Sequence, residues 1–369
     1  MNVAGIYIDS LSIHCLQGTT TDSPLNKTPH TFKTKELLLL LDDKVVPVQG
    51  LAQSRLGSHR VCSNFLPYID SDKTWGIGQN AVHADYALEF YLAEIAETLI
   101  PETQVSFALP IYISQKQIRR IEQIALKLRM KVQGSLASST SLAVENVTTW
   151  NGSFNSNLTS DFLVLEIDCF GLSLSWIRLE QGQVQLKAGK IFPEFSWNHW
   201  VLKLSDFLAK KSIGHCRKDP RANLKTEMNL FTQAEKLLLS IFAQPSFKIV
   251  LDEDFWNQEF LVSTPDLDFC FKSMLRSLNA KINAFIQSNI PESTAIQIIC
   301  TKKVAMLPGL NAFLKNITRG LPSPSDLTFD SSCSYNICKN AMTMAGQWCQ
   351  DSLGIGSANG KLSFSTLKI

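Results

Sequence analysis

The sequence predicts an α/β protein built as two related halves, and three observations carry this expectation. A chain of 369 residues is long enough for two substantial cores. Its 45% hydrophobic and 18% charged residues describe an ordinary globular protein. Strand hairpins followed by helices also occur twice along the chain. Residues 148–160, rich in Asn, Ser and Thr, read as a polar linker between the halves. The expected division is residues 1–147, then 161–332, with a small-residue helix over 333–350 and a tail over 351–369.

In the first half, residues 3–8 and 12–16 read as a hairpin around Asp9-Ser10, and the polar residues 17–35 as an inserted loop. A second hairpin is expected from residues 36–41 and 44–49 across Asp42-Asp43. Residues 63–69, a turn at 70–73 and the segment from Trp75 to Gln79 add edge elements. Residues 85–100 place Leu88, Leu92, Ile95 and Leu99 on one helical face, with Pro101 just beyond. Residues 104–109 form a strand. Ser114 then starts a helix whose Ser-x-x-Gln opening (Ser114, Gln117) has the pattern of a capping box, with Ile118, Ile121, Ala125 and Leu128 along its apolar face. Residues 131–133 return as a strand and 139–146 as a helix.

The second half opens with two strands, a bend and a third strand over residues 161–189. Helices follow over 197–210 and 225–242, a strand over 247–251, and a periodic helix over 273–288 carrying Leu275, Leu278, Ile282 and Phe285. A buried strand over 295–300, a short helix over 308–316 and the helix over 333–350, with Ala341, Ala345 and Gly346, complete the order.

Composition narrows the function classes. The formal net charge of +2 does not point to nucleic acid or a membrane surface. No apolar run approaches the roughly 20 residues of a membrane span. The first residues lack a basic, cleavable leader, and the nine cysteines lack paired metal-ligand spacing, so a reducing cytoplasmic or nuclear setting is expected. The six histidines show no His-x-x-x-His spacing, and neither a Walker loop nor a Gly-x-Ser-x-Gly elbow occurs. The basic stretch Lys210, Lys211, His215, Arg217, Lys218, Arg221 and Lys225 is interrupted by Asp219 and Glu227 and reads as a polar face. Trp197 and Trp200 read as core.

This order of segments resembles the nucleotide-binding domain of the heat shock protein 70 family, the seventy-kilodalton chaperones of the actin-like ATPase superfamily. Residues 3–10, ending Tyr7-Ile8-Asp9-Ser10, resemble the first phosphate loop of that family, and Trp75-Gly76-Ile77-Gly78-Gln79-Asn80-Ala81 its Gly-x-x-Ala turn. Residues 106–114 are similar to its Val-Pro-Ala-Tyr-Phe segment. Residues 297–308, ending Leu307-Pro308, resemble its adenosine strand and turn, and residues 333–346 its closing helix. The resemblance implies a bilobal, ribonuclease H-like fold. In it residues 1–147 are lobe I, 161–332 are lobe II, and the helix over 333–350 packs back on lobe I. With one helix between Asn80 and the strand at Gln104, the outer subdomain of lobe I is reduced. No peptide-binding domain is expected after Ile369.

The positions that carry chemistry in the family are altered. Its first-loop Asp-Leu-Gly-Thr falls on Tyr7-Ile8-Asp9-Ser10. Its second loop, where glycines let backbone N–H groups close around a phosphate, falls on Asp168, Cys169, Phe170 and Gly171. Its adenosine-binding Gly-Gly falls on Lys302-Lys303. Its Glu-x-x-Lys-Arg-x-x-Ser helix keeps only Lys236 and Ser240, with Leu237 at the adenine-stacking position. Lys302 and Lys303 would then fill the vacated site or lie in solvent. Asp9 and Asp168 would either face each other and hold a divalent cation or each cap a turn.

The resemblance therefore implies a pseudo-ATPase, a scaffold or regulatory subunit of a cytosolic complex. Its expected partners are those of the family: a J-domain co-chaperone, another chaperone or a ribosome-associated complex. No cofactor is expected, with a weakly held ATP or ADP the remaining ligand. A divergent ATPase or kinase-like enzyme using Asp9 or Asp168 with a metal, and an actin-related adaptor, are the alternatives.

Overall fold

A computed structural model describes residues 1–19, 31–42, 44–78, 81–151, 159–180, 183–240, 246–253, 256–318, 328–330, 333–352 and 363–364. It is a mixed α/β protein. The first half runs β1 (Asn2–Ile8), β2 (Ser12–Thr19), β3 (Thr31–Glu36), β4 (Leu38–Leu41), β5 (Val45–Pro47), β6 (Val61–Ser63), β7 (Thr74–Trp75), β8 (Val82–His83), α1 (Ala84–Ala96), β9 (Gln104–Leu109), α2 (Gln115–Lys127), β10 (Lys131–Ala137) and α3 (Ser138–Asn151). β1, β2 and β3 form an antiparallel meander, and β9 and β10 continue the sheet in parallel beyond β1. The sheet order is β10-β9-β1-β2-β3.

The second half runs β11 (Ser160–Ile167), β12 (Leu172–Glu180), β13 (Gln183–Phe192), α4 (Trp197–Cys216), α5 (Leu224–Ser240), β14 (Ser246–Glu253), β15 (Trp256–Ser263), α6 (Thr264–Asn289), β16 (Ile296–Thr301), α7 (Lys302–Ala305), α8 (Leu310–Thr318) and β17 (Thr328–Asp330). α9 (Cys333–Ser352) and β18 (Ser363–Phe364) follow. β11, β12 and β13 are again an antiparallel meander, with β16 and β17 parallel beyond β11. The order is β17-β16-β11-β12-β13, extended by β18. The two sheets thus repeat one order and one pattern of strand directions.

β1 and β11 are buried along nearly their whole lengths, which is why they read as continuous apolar runs rather than alternating ones. α9 covers one face of the first sheet, across β1, β2 and β9. The approach is close because the facing residues are small: a Cβ on Gly5 would overlap the Cys338 carbonyl oxygen, and Ser106 Oγ donates to the Ala341 carbonyl. Asn340 Nδ2 ties the same helix to α3 through the Ser141 carbonyl, at 2.9 Å. In the second half, the fully buried Trp197 and Trp200 sit in the core with Phe231 and Phe271. Both tryptophans are packing residues.

Several expectations are corrected. Residues 17–35 are not one loop: β2 extends to Thr19 and Thr31–Glu36 is a third strand. All six residues of β3 are exposed, so pairing with β2 holds an edge strand that carries no apolar pattern. α3 runs on to Asn151 and β11 begins at Ser160, so within the predicted linker residues 152–158 lie outside the described residues. The strand expected over 247–251 is the first arm of the β14–β15 hairpin, and its second arm, Trp256–Ser263, adds a strand to that expectation. The helix expected over 273–288 starts nine residues earlier, at Thr264, where a Ser263–Asp266 capping box and a proline in the first turn set its beginning. Gln79 and Asn80, and most of the tail over 351–369, also lie outside the described residues.

The Ser114–Gln117 capping box forms in both directions. Gln117 N donates to Ser114 Oγ at 3.3 Å, and Ser114 N donates to Gln117 Oε1 at 2.9 Å. Among the described residues, no helix is long and apolar enough to cross a membrane.

Candidate functional site

The site lies where the β1–β2 turn meets the β11–β12 turn. Each turn has four residues and begins with an aspartate. In residues 9–12, Asp9 Oδ1 accepts from Leu11 N and Ser12 N, both at 2.7 Å, and Asp9 N donates to the Ser12 carbonyl at 3.0 Å. In residues 168–171, Asp168 Oδ1 accepts from Phe170 N at 2.8 Å and Gly171 N at 3.1 Å, and Asp168 N donates to the Gly171 carbonyl at 3.1 Å. Both are Asx-type turns, in which a short carboxylate takes the backbone donors two and three residues on.

Asp168 does more than close its own turn. Its Oδ2 accepts from Ser10 N at 3.1 Å and from the Tyr112 hydroxyl at 2.5 Å. Ser10 Oγ in return accepts from Phe170 N at 3.2 Å. The Phe170 ring packs on Tyr112, centroids 4.6 Å apart. The Asp168 carbonyl accepts from Trp197 N at 2.8 Å, tying the turn to the start of α4. Asp9 and Asp168 each cap a turn, one of the roles expected of them. Among the described residues, no group of three or more His, Cys, Asp or Glu is placed to hold a metal ion.

Beside the turns opens a cleft of about 540 Å³. One wall, from β1, β2 and β3, carries Tyr7, Asp9, His14 and Phe32. The other carries Glu166 from β11, Thr301 from β16, and Lys302 and Lys303 from α7. Tyr7, His14 and Phe32 form a stack across three strands, with centroids 5.5 and 6.0 Å apart. His14 Nε2 is hydrogen-bonded to Ser12 Oγ at 2.8 Å and its Nδ1 to Thr34 Oγ1 at 2.9 Å. Lys303 Nζ sits 5.6 Å from the Trp197 ring centroid, a cation–π contact.

Burial dominates the electrostatics. It pushes the Asp168 carboxyl above the usual range, with the charge of Asp9 adding to it, while the donors from Tyr112, Gly171 and Ser10 pull back. Burial and the neighbouring Asp168 hold the Tyr112 phenol well above its ordinary value. Burial moves Glu166 from 4.5 up to about 8, reinforced by Asp168 and Asp9. It lowers His14, and Lys303 acts in the same sense. Cys169 is raised well above the ordinary thiol value by burial and is therefore a poor nucleophile.

The structure brings together Tyr7, Asp9, Ser10, Asp168, Cys169, Phe170 and Gly171, with Lys302 and Lys303 bordering the cleft. It does not bring the α5 residues there as expected. Leu237 is packed in the second core, Lys236 is exposed, and Ser240 Oγ donates back to the Lys236 carbonyl at 2.7 Å. Leu239 is the α5 residue that borders the cleft, because the helix presents Leu237 and Leu238 to the core. Gly171 owes its place to crowding: a Cβ there would lie 2.9 Å from Ile191 Cγ2 and 3.1 Å from the Phe192 carbonyl oxygen.

The basic stretch at the end of α4 is partly neutralised, Lys211 by Asp266 and Arg221 by Asp206 and Asp219. Sequence reasoning missed Tyr112, His14, Phe32 and Glu166. The signal for Glu166 was a carboxylate inside an apolar strand, two residues before Asp168.

No protein-family model matches this chain, and no curated protein matches it at a significant level.

Proposed function

We propose that the chain is a bilobal, actin-like domain that resembles the nucleotide-binding domain of the heat shock protein 70 family without its chemistry, and that it serves as a scaffold or regulatory subunit of a protein complex. The repeated sheet order supports the two-lobed, ribonuclease H-like reading. The single helix α1 between Asn80 and the strand at Gln104 is in keeping with a reduced outer subdomain, and the contacts of α9 with the first sheet support reading it as a closing helix. The six buried thiols Cys15, Cys62, Cys169, Cys270, Cys300 and Cys338 fit a reducing cytosolic or nuclear setting.

One observation carries the non-catalytic reading. The backbone donors of Ser10, Phe170 and Gly171, which a phosphate would need, already point at the Asp168 carboxylate. A nucleotide has to displace this internal anion and then sit beside Asp9 without an amide cradle. Partners of the J-domain, exchange-factor or ribosome-associated kind follow from the resemblance, and affinity purification from native extract identifies them.

Thermal melting with millimolar Mg-ATP and Mg-ADP tests the reading, because a ligand that binds the native state raises the melting temperature. No shift and no phosphate release are expected. Hydrolysis abolished by Asp168→Ala or Lys303→Ala would overturn the proposal in favour of a divergent ATPase.

A further inference from the structure

The capped turns leave part of the cleft unused. Glu166 is 8% exposed; the Ser138 hydroxyl lies by its carboxyl, but its Oε2 makes no hydrogen bond of ordinary geometry among the described residues, and neither does Thr301 Oγ1, which also lines the cleft. Native folds satisfy most buried polar atoms internally, so these two, beside an open cleft, offer polar contacts to a ligand. Lys302 and Lys303 border the same space without an ion pair among the described residues. Opposite them Phe32 is 41% exposed, stacked on His14 and met edge-on by Tyr335 at 5.5 Å.

We propose that this cleft binds a small planar aromatic monocarboxylate, its ring against Phe32 and Tyr335, its carboxylate at Lys302 and Lys303, and a ring nitrogen or hydroxyl at Glu166 and Thr301. The volume of about 540 Å³ lies within the roughly 300–1,000 Å³ usual for small-molecule sites. The charges favour a ligand of low negative charge: Lys302 and Lys303 bring two positive charges, Asp9 and the buried Asp168 offset them in part, and burial keeps Glu166 protonated at neutral pH. A polyphosphate carries more charge than this and finds its amide donors already taken by Asp168.

Around Glu166 the charged and titratable groups are Asp9, Tyr7 and His14 from β1 and β2, Asp168 on the turn after β11, Lys302 and Lys303 from α7, and Tyr335 from α9. Once Glu166 ionises it adds its negative charge to those of Asp9 and Asp168 and opposes an anionic ligand. Affinity is therefore expected to fall as pH rises through the Glu166 pKa of about 8.

Isothermal titration of the full chain with nicotinate and 4-hydroxybenzoate tests this, with nicotinamide as the uncharged match and Mg-ADP as the polyanion. The acids are expected to bind at least about tenfold more tightly than nicotinamide, and Lys302→Ala to weaken them by a similar factor, the loss of one ion pair in a partly dry site. Between about pH 7 and pH 9 the wild type should weaken severalfold and Glu166→Gln should not, since glutamine cannot ionise. Circular dichroism establishes that both variants are folded. Equal binding of nicotinamide, indifference to Lys302→Ala, or no heat from either acid at about 10 mM (weaker than most small-ligand sites) would each overturn this inference alone. Mg-ADP binding more tightly than the acids would overturn both this inference and the non-catalytic reading.

Discussion

The two four-residue turns, residues 9–12 and 168–171, sit at matching places in two sheets of the same order, and they close in the same way. In each, an aspartate Oδ1 takes the N–H groups two and three residues on. They differ in what the second carboxylate oxygen does. Asp9 keeps its hydrogen bonds within its own turn. Asp168 reaches Ser10 of the other turn and Tyr112 after β9, and so joins the two halves through one buried carboxylate. Repeating a local motif thus leaves its tertiary role open: the same Asx turn is a hairpin cap in one half and a stitch between halves in the other.

The largest effect separates these roles. Asp168→Ala strands the buried donors of Ser10, Gly171 and Tyr112, leaves Phe170 N with Ser10 Oγ alone, and is expected to lower the unfolding free energy by about 3–5 kcal/mol. Asp9→Ala, which frees only local and partly solvated donors, is expected to lower it by about 1–2 kcal/mol. Urea denaturation of the two variants measures both, and equal losses would break the comparison.

Next comes Glu166, which lies on β11 two residues before the second turn and feels both aspartates. Its folded pKa of about 8 stands above its ordinary 4.5, so the folded state holds a proton that the unfolded state releases. Stability contributed by that proton is full below pH 4.5 and is lost as pH rises toward 8. Glu166→Gln removes this dependence and is expected to stabilise the protein at alkaline pH by a few kcal/mol. Near pH 4 it should change little. Melting curves across this range that stay parallel to wild type would contradict the assignment.

The fourth turn position supplies a smaller effect. Gly171→Ala pushes a methyl against Ile191 and the Phe192 carbonyl and should cost about 1–3 kcal/mol. Its counterpart Ser12 already carries a side chain, so Ser12→Ala should lose little more than its bonds to Asp9 and His14. The smallest expected change is Tyr112→Phe, at about 1 kcal/mol, which removes one donor to Asp168 and leaves the ring on Phe170. A Tyr112→Phe loss as large as that of Asp168→Ala would move the stitch from the carboxylate to the phenol.

Much of the framework is legible in the residues alone. Ser114 and Gln117 are three residues apart, so their reciprocal cap can be read directly from spacing. β1 and β11 stand out as apolar runs because both are buried along nearly their whole lengths. β3 does not, since an exposed edge strand is held by backbone pairing and leaves its side chains polar. Leu237 is misplaced relative to the cleft because helical phase is set by the core, which claims Leu237 and Leu238 and leaves Leu239 at the opening.

What could be read from residue order was local: where strands and helices run, which residue caps α2, and that an aspartate stands in each of two bends. Packing settled which distant donors Asp168 received, from Ser10 at a separation of 158 residues and Tyr112 at 56. It also settled the elevated Glu166 and the glycine that α9 demands at position 5. The reason is the range of the forces involved. Caps and turns close over a few covalent bonds, whereas desolvation and cross-half hydrogen bonds exist only after the two sheets have met.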